Sequence, residues 1–185
     1  MIIFLTGPSG VGKSTLRDFY CRTHDLVALP AMTTRKTRSG ENEIHQTVSV
    51  AEFQKLRDDN KLCLVAINHG FWYGYHKDVI EGIGDHVAII EVDSNTAIKE
   101  KKDLNATIIR VIPTKPDRTI EIIRDKRDDV DDRLDDFRKQ MEPSFLSSRR
   151  IAGDTMFEND NTSSALERFC VTVNVMVQRG KGVWS

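Results

Sequence analysis

Gly7-Pro8-Ser9-Gly10-Val11-Gly12-Lys13-Ser14 satisfies the pattern G-x-x-x-x-G-K-[ST] at every fixed position, and no other stretch constrains the fold as tightly. Ile2-Ile3-Phe4-Leu5 ahead of it is a short apolar run suited to a buried parallel strand. Thr15 to Tyr20 behind it continue as a helix, with Leu16, Phe19 and Tyr20 on one face. The glycines let the backbone curl until consecutive N–H groups point into one concavity, and the positive end of the helix dipole faces the same way. Such a nest suits a chain of phosphates. Lys13 adds a charge near the β- and γ-phosphates, Ser14 a hydroxyl ligand for Mg²⁺, and Thr15 a hydroxyl for the α-phosphate. The loop therefore predicts a nucleoside triphosphate site built from Gly7, Ser9, Gly10, Val11, Gly12, Lys13, Ser14 and Thr15.

Apolar runs recur at 2–5, 26–31, 87–92 and 107–112, with a shorter one at 155–157, and helical patterns fall between most of them. That alternation predicts an α/β chain of the P-loop NTPase fold, a parallel sheet with helices on both faces. Segment 33–80 is polar, aromatic and rich in loops. It reads as an insertion over the C-terminal edge of the sheet, where open α/β sheets bind ligands. The chain is thus expected to form a single domain over 1–185, with a core of 1–32 and 82–185 and an inserted lobe over about 33–81. Residues 116–142 read as one charged helical stretch, and 162–178 as an amphipathic helix with Leu166, Phe169, Val173 and Val177 as its stripe.

The net charge of -1 argues against bulk electrostatic attraction to nucleic acid or to anionic membranes, so neither is expected as a partner. Cys21, Cys63 and Cys170 are scattered, without the spacing of a zinc site or a disulfide framework. No apolar run approaches the roughly 18 residues that span a bilayer. Strand-forming residues begin at position 2, which leaves no room for a signal peptide. These features together predict a cytoplasmic protein. The oligomeric state is left open.

A second constellation follows the 26–31 run. Thr33-Thr34-Arg35-Lys36-Thr37-Arg38-Ser39-Gly40-Glu41 places two guanidinium forks beside a carboxylate, an arrangement suited to an acceptor phosphate with Glu41 orienting an arginine. Gly70-Phe71-Trp72-Tyr73-Gly74 presents a phenol for the same phosphate.

These segments resemble the guanylate kinase family, whose pattern is a P-loop, then T-T-R-x-x-R-x-G-E, then a Tyr-Gly pair, and the likeness spans nearly the whole chain. Val48 to Phe53 looks like the family's strand-into-helix entry, Glu91-Val92-Asp93 like its acidic strand end, and Glu158-Asn159-Asp160 like its segment near the adenine. The resemblance implies ATP and Mg²⁺ as cofactors and a small phosphorylated acceptor as substrate, GMP being the family default. It assigns Arg35, Arg38, Glu41 and Tyr73 to the acceptor, Asn159 to ATP, and Glu91 and Asp93 to Mg²⁺ through water. Lys13, Arg124, Arg127 and Arg133 become the catalytic cations, the arginines belonging to a lid over about 124–133.

The departures from the pattern are specific. Members that read guanine have a hydroxyl at the position of Ala31 and a glutamate at that of Leu64, and neither residue here accepts a hydrogen bond through its side chain. The segment between Glu41 and Val48 is short, with His45 the nearest stand-in for a missing tyrosine, and the lid is short too. Asn68, His69, Tyr75 and His76 are candidate replacement readers, and Phe71 or Trp72 a stacking platform. Ribose 1,5-bisphosphate phosphokinases, relatives that also lack the guanine reader, fit Leu64 equally well. Scaffold domains of this likeness that bind phosphopeptides have lost catalysis and typically carry a damaged P-loop, whereas this loop is intact.

Overall fold

The computed structural model describes residues 1–24, 26, 28–36, 45–126, 129–148 and 154–180. β1 (Ile2–Thr6) runs into the glycine loop and α1 (Lys13–Thr23). A second lobe follows: β2 (Ala31–Thr33), β3 (His45–Thr47), α2 (Val50–Asp58), β4 (Leu62–Asn68) and β5 (Phe71–His76). The chain returns through α3 (Lys77–Glu81) to β6 (Ala88–Glu91), α4 (Ser94–Glu100) and β7 (Ala106–Pro113). Helices α5 (Pro116–Lys126), α6 (Val130–Met141) and α7 (Pro143–Ser148) precede β8 (Thr155–Asn159) and α8 (Ser163–Gly180).

The first sheet has the order β6-β1-β7-β8, with every pairing parallel. Successive strand residues face opposite sides. Ile3 and Leu5 therefore pack with Leu16 and Tyr20 of α1 and Phe169 and Val173 of α8, while Phe4 and Ile90 pack with Ala97 of α4. Phe169 anchors the first face, its ring meeting Phe157 at 5.3 Å and 78°. Edge-to-face contact of this kind adds to burial. The result is the α/β P-loop NTPase fold, with helices on both sides of a parallel sheet.

The lobe departs from the loop-rich segment that its polarity suggests. It carries a mixed sheet of order β3-β2-β5-β4, folded on its own small core of Met32, Phe53 and Leu62. Ser49 and Glu52 form a full capping box at the head of α2. None of the described residues of run 26–31 belongs to the core sheet. Leu26 and residues 28–30 have no regular structure, and the strand that follows, β2, joins the lobe sheet instead. Pro30 has no N–H to give to a ladder, which favours this late start. Likewise 116–142 is not continuous: α5 ends at Lys126, and α6 starts after Asp129 at its N-cap.

Two departures from regular strand geometry shape the lobe. β4 and β5 are joined by His69 (φ 49°) and Gly70 (φ 77°), a two-residue connection with both centres left-handed. The β4–β5 register shifts between Cys63 and Ala66, and Leu64 there sits at φ 52°. A branched side chain at positive φ is strained, and such bulges re-aim side chains toward sites.

Candidate active site

The glycine loop requires its glycines for two separate reasons. At Gly7 (φ 136°) a Cβ would collide with the Val111 carbonyl oxygen of β7. At Gly12, the left-handed N-cap of α1 (φ 90°), it would lie 2.7 Å from Asn159 Nδ2 and 2.9 Å from Asn161 Oδ1. Gly12→Ala is therefore expected to destabilise the protein by about 1–3 kcal/mol and to abolish the rise in Tm on adding ATP, read by melting with and without the nucleotide. Lys13 Nζ lies inside the loop's curve, donating to the Gly7 and Pro8 carbonyls at 2.8 Å each.

Asn159 packs behind this loop and does not line the cavity. It is buried, and its Nδ2 donates to the Val11 carbonyl at 2.8 Å and to Asn161 Oδ1 at 3.1 Å. Asn161, which the sequence reading passed over, is the residue of this pair that lines the cavity. Val11 is also buried in the core and takes part only through its backbone.

One cavity of about 470 Å³ runs from the glycine loop to the lobe. That size suits a small organic ligand. Ser9, Gly10, Gly12, Lys13, Ser14 and Thr15 line one end, with Gly7 among them, and Arg35, His45 and Tyr73 the other. Arg133 from α6 reaches the same space, so four of the expected polar groups converge: Lys13, Arg35, Tyr73 and Arg133. Both arginines are largely buried, Arg35 at 9% exposure and Arg133 at 8%. Arg133 Nη1 donates to Ser9 Oγ at 2.8 Å, and its Nε to Asp129 Oδ1 at 2.5 Å. Arg124 is placed differently: it is exposed on α5 and does not line the cavity. Arg38, Glu41 and Arg127 lie outside the described residues.

The carboxylates at the end of β6 have divergent fates. Glu91 pairs with Arg17 at 2.6 Å, and Arg17 also meets Asp18 at 2.8 Å. Arg17 is only 4% exposed. Burial alone would lower its pKa, but the two carboxylates outweigh that and raise it, so the guanidinium stays charged. Sequence reasoning missed Arg17. Its one signal was a charge beside Leu16 on the buried side of α1. Asp93 Oδ1 caps α4 by accepting from Asn95 N (2.9 Å) and Thr96 N (3.1 Å), while Oδ2 is buried without a hydrogen-bond partner. Asp93 and Ser14 both line the cavity, and a carboxylate with an orphaned oxygen and a hydroxyl are donor types that fit a nucleotide-bound Mg²⁺. Among the described residues there is no group of three or more His, Cys, Asp or Glu that could hold a metal by itself.

The lobe end of the cavity has an apolar wall. Ala31, Leu64 and Ala66 line it, and the bulge described above is what turns Leu64 inward. Asn68 and His69 line it as well, and so does Tyr75, whose phenol is committed to the Glu91 carbonyl at 3.2 Å. Burial, chiefly, pushes the Tyr75 phenol well above its ordinary pKa. Trp72 is no stacking platform for a ligand. Its ring packs on Phe53 at 5.7 Å under the Arg57 guanidinium at 5.1 Å. Phe71 and His76 do not line the cavity either.

No protein-family model matches the chain. A guanylate kinase of Aster yellows witches'-broom phytoplasma is 33% identical over 123 residues, which is 62% of this chain and 58% of that protein. A guanylate kinase of Rhizobium johnstonii is 28% identical over 178 residues, 90% of this chain and 78% of that protein. The chain thus spans little more than half the length of the phytoplasma relative. The crystal structure of guanylate kinase from Anaplasma phagocytophilum superposes with a TM-score of 0.71 at 20% identity, covering 95% of this chain and 85% of that one, a likeness of fold. Among the described residues no helix is long and apolar enough to cross a membrane.

Proposed function

We propose that this chain is a member of the guanylate kinase family and an ATP-dependent phosphotransferase that moves the γ-phosphoryl group of ATP onto the phosphate of a small acceptor. The observation that carries this reading is the single cavity with Lys13 at one end and Arg35 and Tyr73 at the other. A triphosphate on the loop and a phosphate on the lobe then face each other with Arg133 between them. An acceptor phosphate oxygen attacks the γ-phosphorus in line, the bond from that phosphorus to the β–γ bridging oxygen breaks, and ADP leaves. Charge spreads over the equatorial oxygens, so catalysis is mainly positioning and electrostatics.

Lys13 and the loop amides hold the donor phosphates, and Arg133 meets the group in flight. Arg38 and Glu41 are assigned with Arg35 and Tyr73 to the acceptor phosphate. Arg124 and Arg127 are assigned, with Arg133, to the transferred group. Mg²⁺, when bound, neutralises charge across the β- and γ-phosphates; Ser14 and Asp93 would hold it, with Glu91 through water. Three free cysteines support a reducing cytoplasm as the compartment.

A nucleoside monophosphate, GMP by family default, is the first acceptor to consider. A sugar phosphate such as ribose 1,5-bisphosphate is the second, and the cavity wall favours weighing it. Guanine presents N1–H and an amine, whose recognition needs an acceptor. Ala31, Leu64 and Ala66 offer no side-chain acceptor, and Arg17 already neutralises Glu91. Leu64→Glu tests this. It is expected to raise kcat/KM for GMP about 10-fold and to lower it for ribose 1,5-bisphosphate, since a new buried acceptor finds its partner only on the base. A variant that loses GMP turnover would mean that guanine is read elsewhere in the cavity.

A further inference from the structure

His69 stands at the tip of the β4–β5 hairpin, in the lobe that carries Arg35 and Tyr73. Its left-handed backbone, in a connection where Asn or Gly is the usual choice, turns the imidazole toward the head of α6. Asp129 waits there at the N-cap position, yet its side chain caps nothing. Its Oδ1 instead accepts from Arg133 Nε at 2.5 Å, and its Oδ2 lies 3.9 Å from His69 Nδ1. Arg133 Nη1 then donates to Ser9 Oγ of the glycine loop at 2.8 Å. Four side chains from the hairpin tip, the head of α6 and the loop thus stand in one series, hydrogen-bonded from Asp129 through Arg133 to Ser9 and open by 3.9 Å between His69 and Asp129.

We propose that His69 and Asp129 are positioning residues that set the Arg133 guanidinium on the glycine loop, so that the placement of the acceptor lobe is felt where the phosphoryl group is transferred. The catalytic half of this inference rests on the phosphotransferase reading; the geometric half does not. A guanidinium has a rigid fork, so fixing its Nε against a carboxylate fixes the direction of its terminal nitrogens. Asp129 does that fixing, and His69, 3.9 Å from its second oxygen and too far for a hydrogen bond, acts on Asp129 through charge when the imidazole is protonated. Burial is the largest influence on His69 and lowers its pKa. The Arg133 charge lowers it further, while Asp129, Asp136 and Asp132 oppose. The imidazole is therefore neutral near pH 7. Its protonation on acidification gives Asp129 a competing cation and sets a second positive charge near Arg133.

The test uses the unliganded full chain, with arginine side-chain and histidine NMR signals followed between pH 5 and 8. The Arg133 Nε–H signal is expected to move with the titration of His69, to stop moving in His69→Gln, and to exchange rapidly with water in Asp129→Asn. Kinetics add a second readout. His69→Gln and Asp129→Asn should each lower kcat by about 3- to 10-fold with the KM for ATP unchanged, and the double variant should be no worse than Asp129→Asn alone. His69→Gln should also flatten the acid limb of the kcat profile. The proposal is overturned if His69 titrates without moving the Arg133 signal, or if the two substitutions multiply in kcat. A wild-type chain that turns over no acceptor would sink the phosphotransferase reading, and the NMR coupling would still decide whether this line of contacts exists.

Discussion

Lys13→Ala should lower kcat by about 10²–10³-fold while leaving the Tm of the nucleotide-free protein within a few degrees of wild type. The size follows from where the ammonium sits. It occupies the curve of the loop, 2.8 Å from the Gly7 and Pro8 carbonyls, and lines the cavity wall. In the proposed reaction a point charge held there would meet the β- and γ-phosphates, where negative charge shifts during transfer. Its loss removes stabilisation of the transition state more than of bound ATP, so kcat carries most of the effect. The fold does not depend on it, because Lys13 lies outside the buried clusters formed by Leu16, Tyr20 and the sheet. Near-normal kcat in this variant would contradict the role assigned to the loop.

Arg35→Ala should act on the other substrate. We expect the KM for the acceptor to rise about 10- to 100-fold, the loss of one or two charge-assisted hydrogen bonds, with the KM for ATP changing by less than about 3-fold. Arg35 lies at the lobe end of the cavity, in the bend after β2, and its backbone is pinned by Arg35 N donating to Thr33 Oγ1 at 3.1 Å. Arg35→Lys keeps a point charge but loses the planar fork, so it should recover only part of the affinity. Initial-rate measurements with each substrate varied in turn separate the two cases. Equal rises in both KM values would mean that Arg35 serves the ATP end, or the fold at large.

The parts legible in the sequence were those fixed by local chemistry. The glycine loop, β1 and α1 follow from a contiguous pattern whose backbone demands glycine, and α8 follows from its apolar stripe. Asp129 before Val130 was a usable helix-start signal inside a charge run that otherwise read as one helix. The lobe sheet was harder to see. Its strands are short, and Leu64 and His69 have left-handed backbones that break the alternation by which strands are recognised. The Arg17–Glu91 pair joins positions far apart in the chain, and no spacing rule announces it. Arg124 shows a different limit: a basic residue in a lid-like stretch carries no record in the sequence of which way it faces, and here it is exposed on α5. Asn159 was placed in the right neighbourhood, but its amide supports the loop from behind while Asn161 reaches the cavity.

The central claim is that ATP on the glycine loop gives its γ-phosphoryl group to a phosphorylated acceptor held by the lobe. A coupled ADP-release assay with ATP and Mg²⁺, run against GMP, dGMP, AMP, CMP, UMP, dTMP and ribose 1,5-bisphosphate, tests it most directly. The account predicts ADP release that is slow with ATP alone and rises to saturation with one acceptor, either GMP or the sugar bisphosphate. ADP release that no acceptor in the panel stimulates, from a protein that still binds ATP, would contradict it.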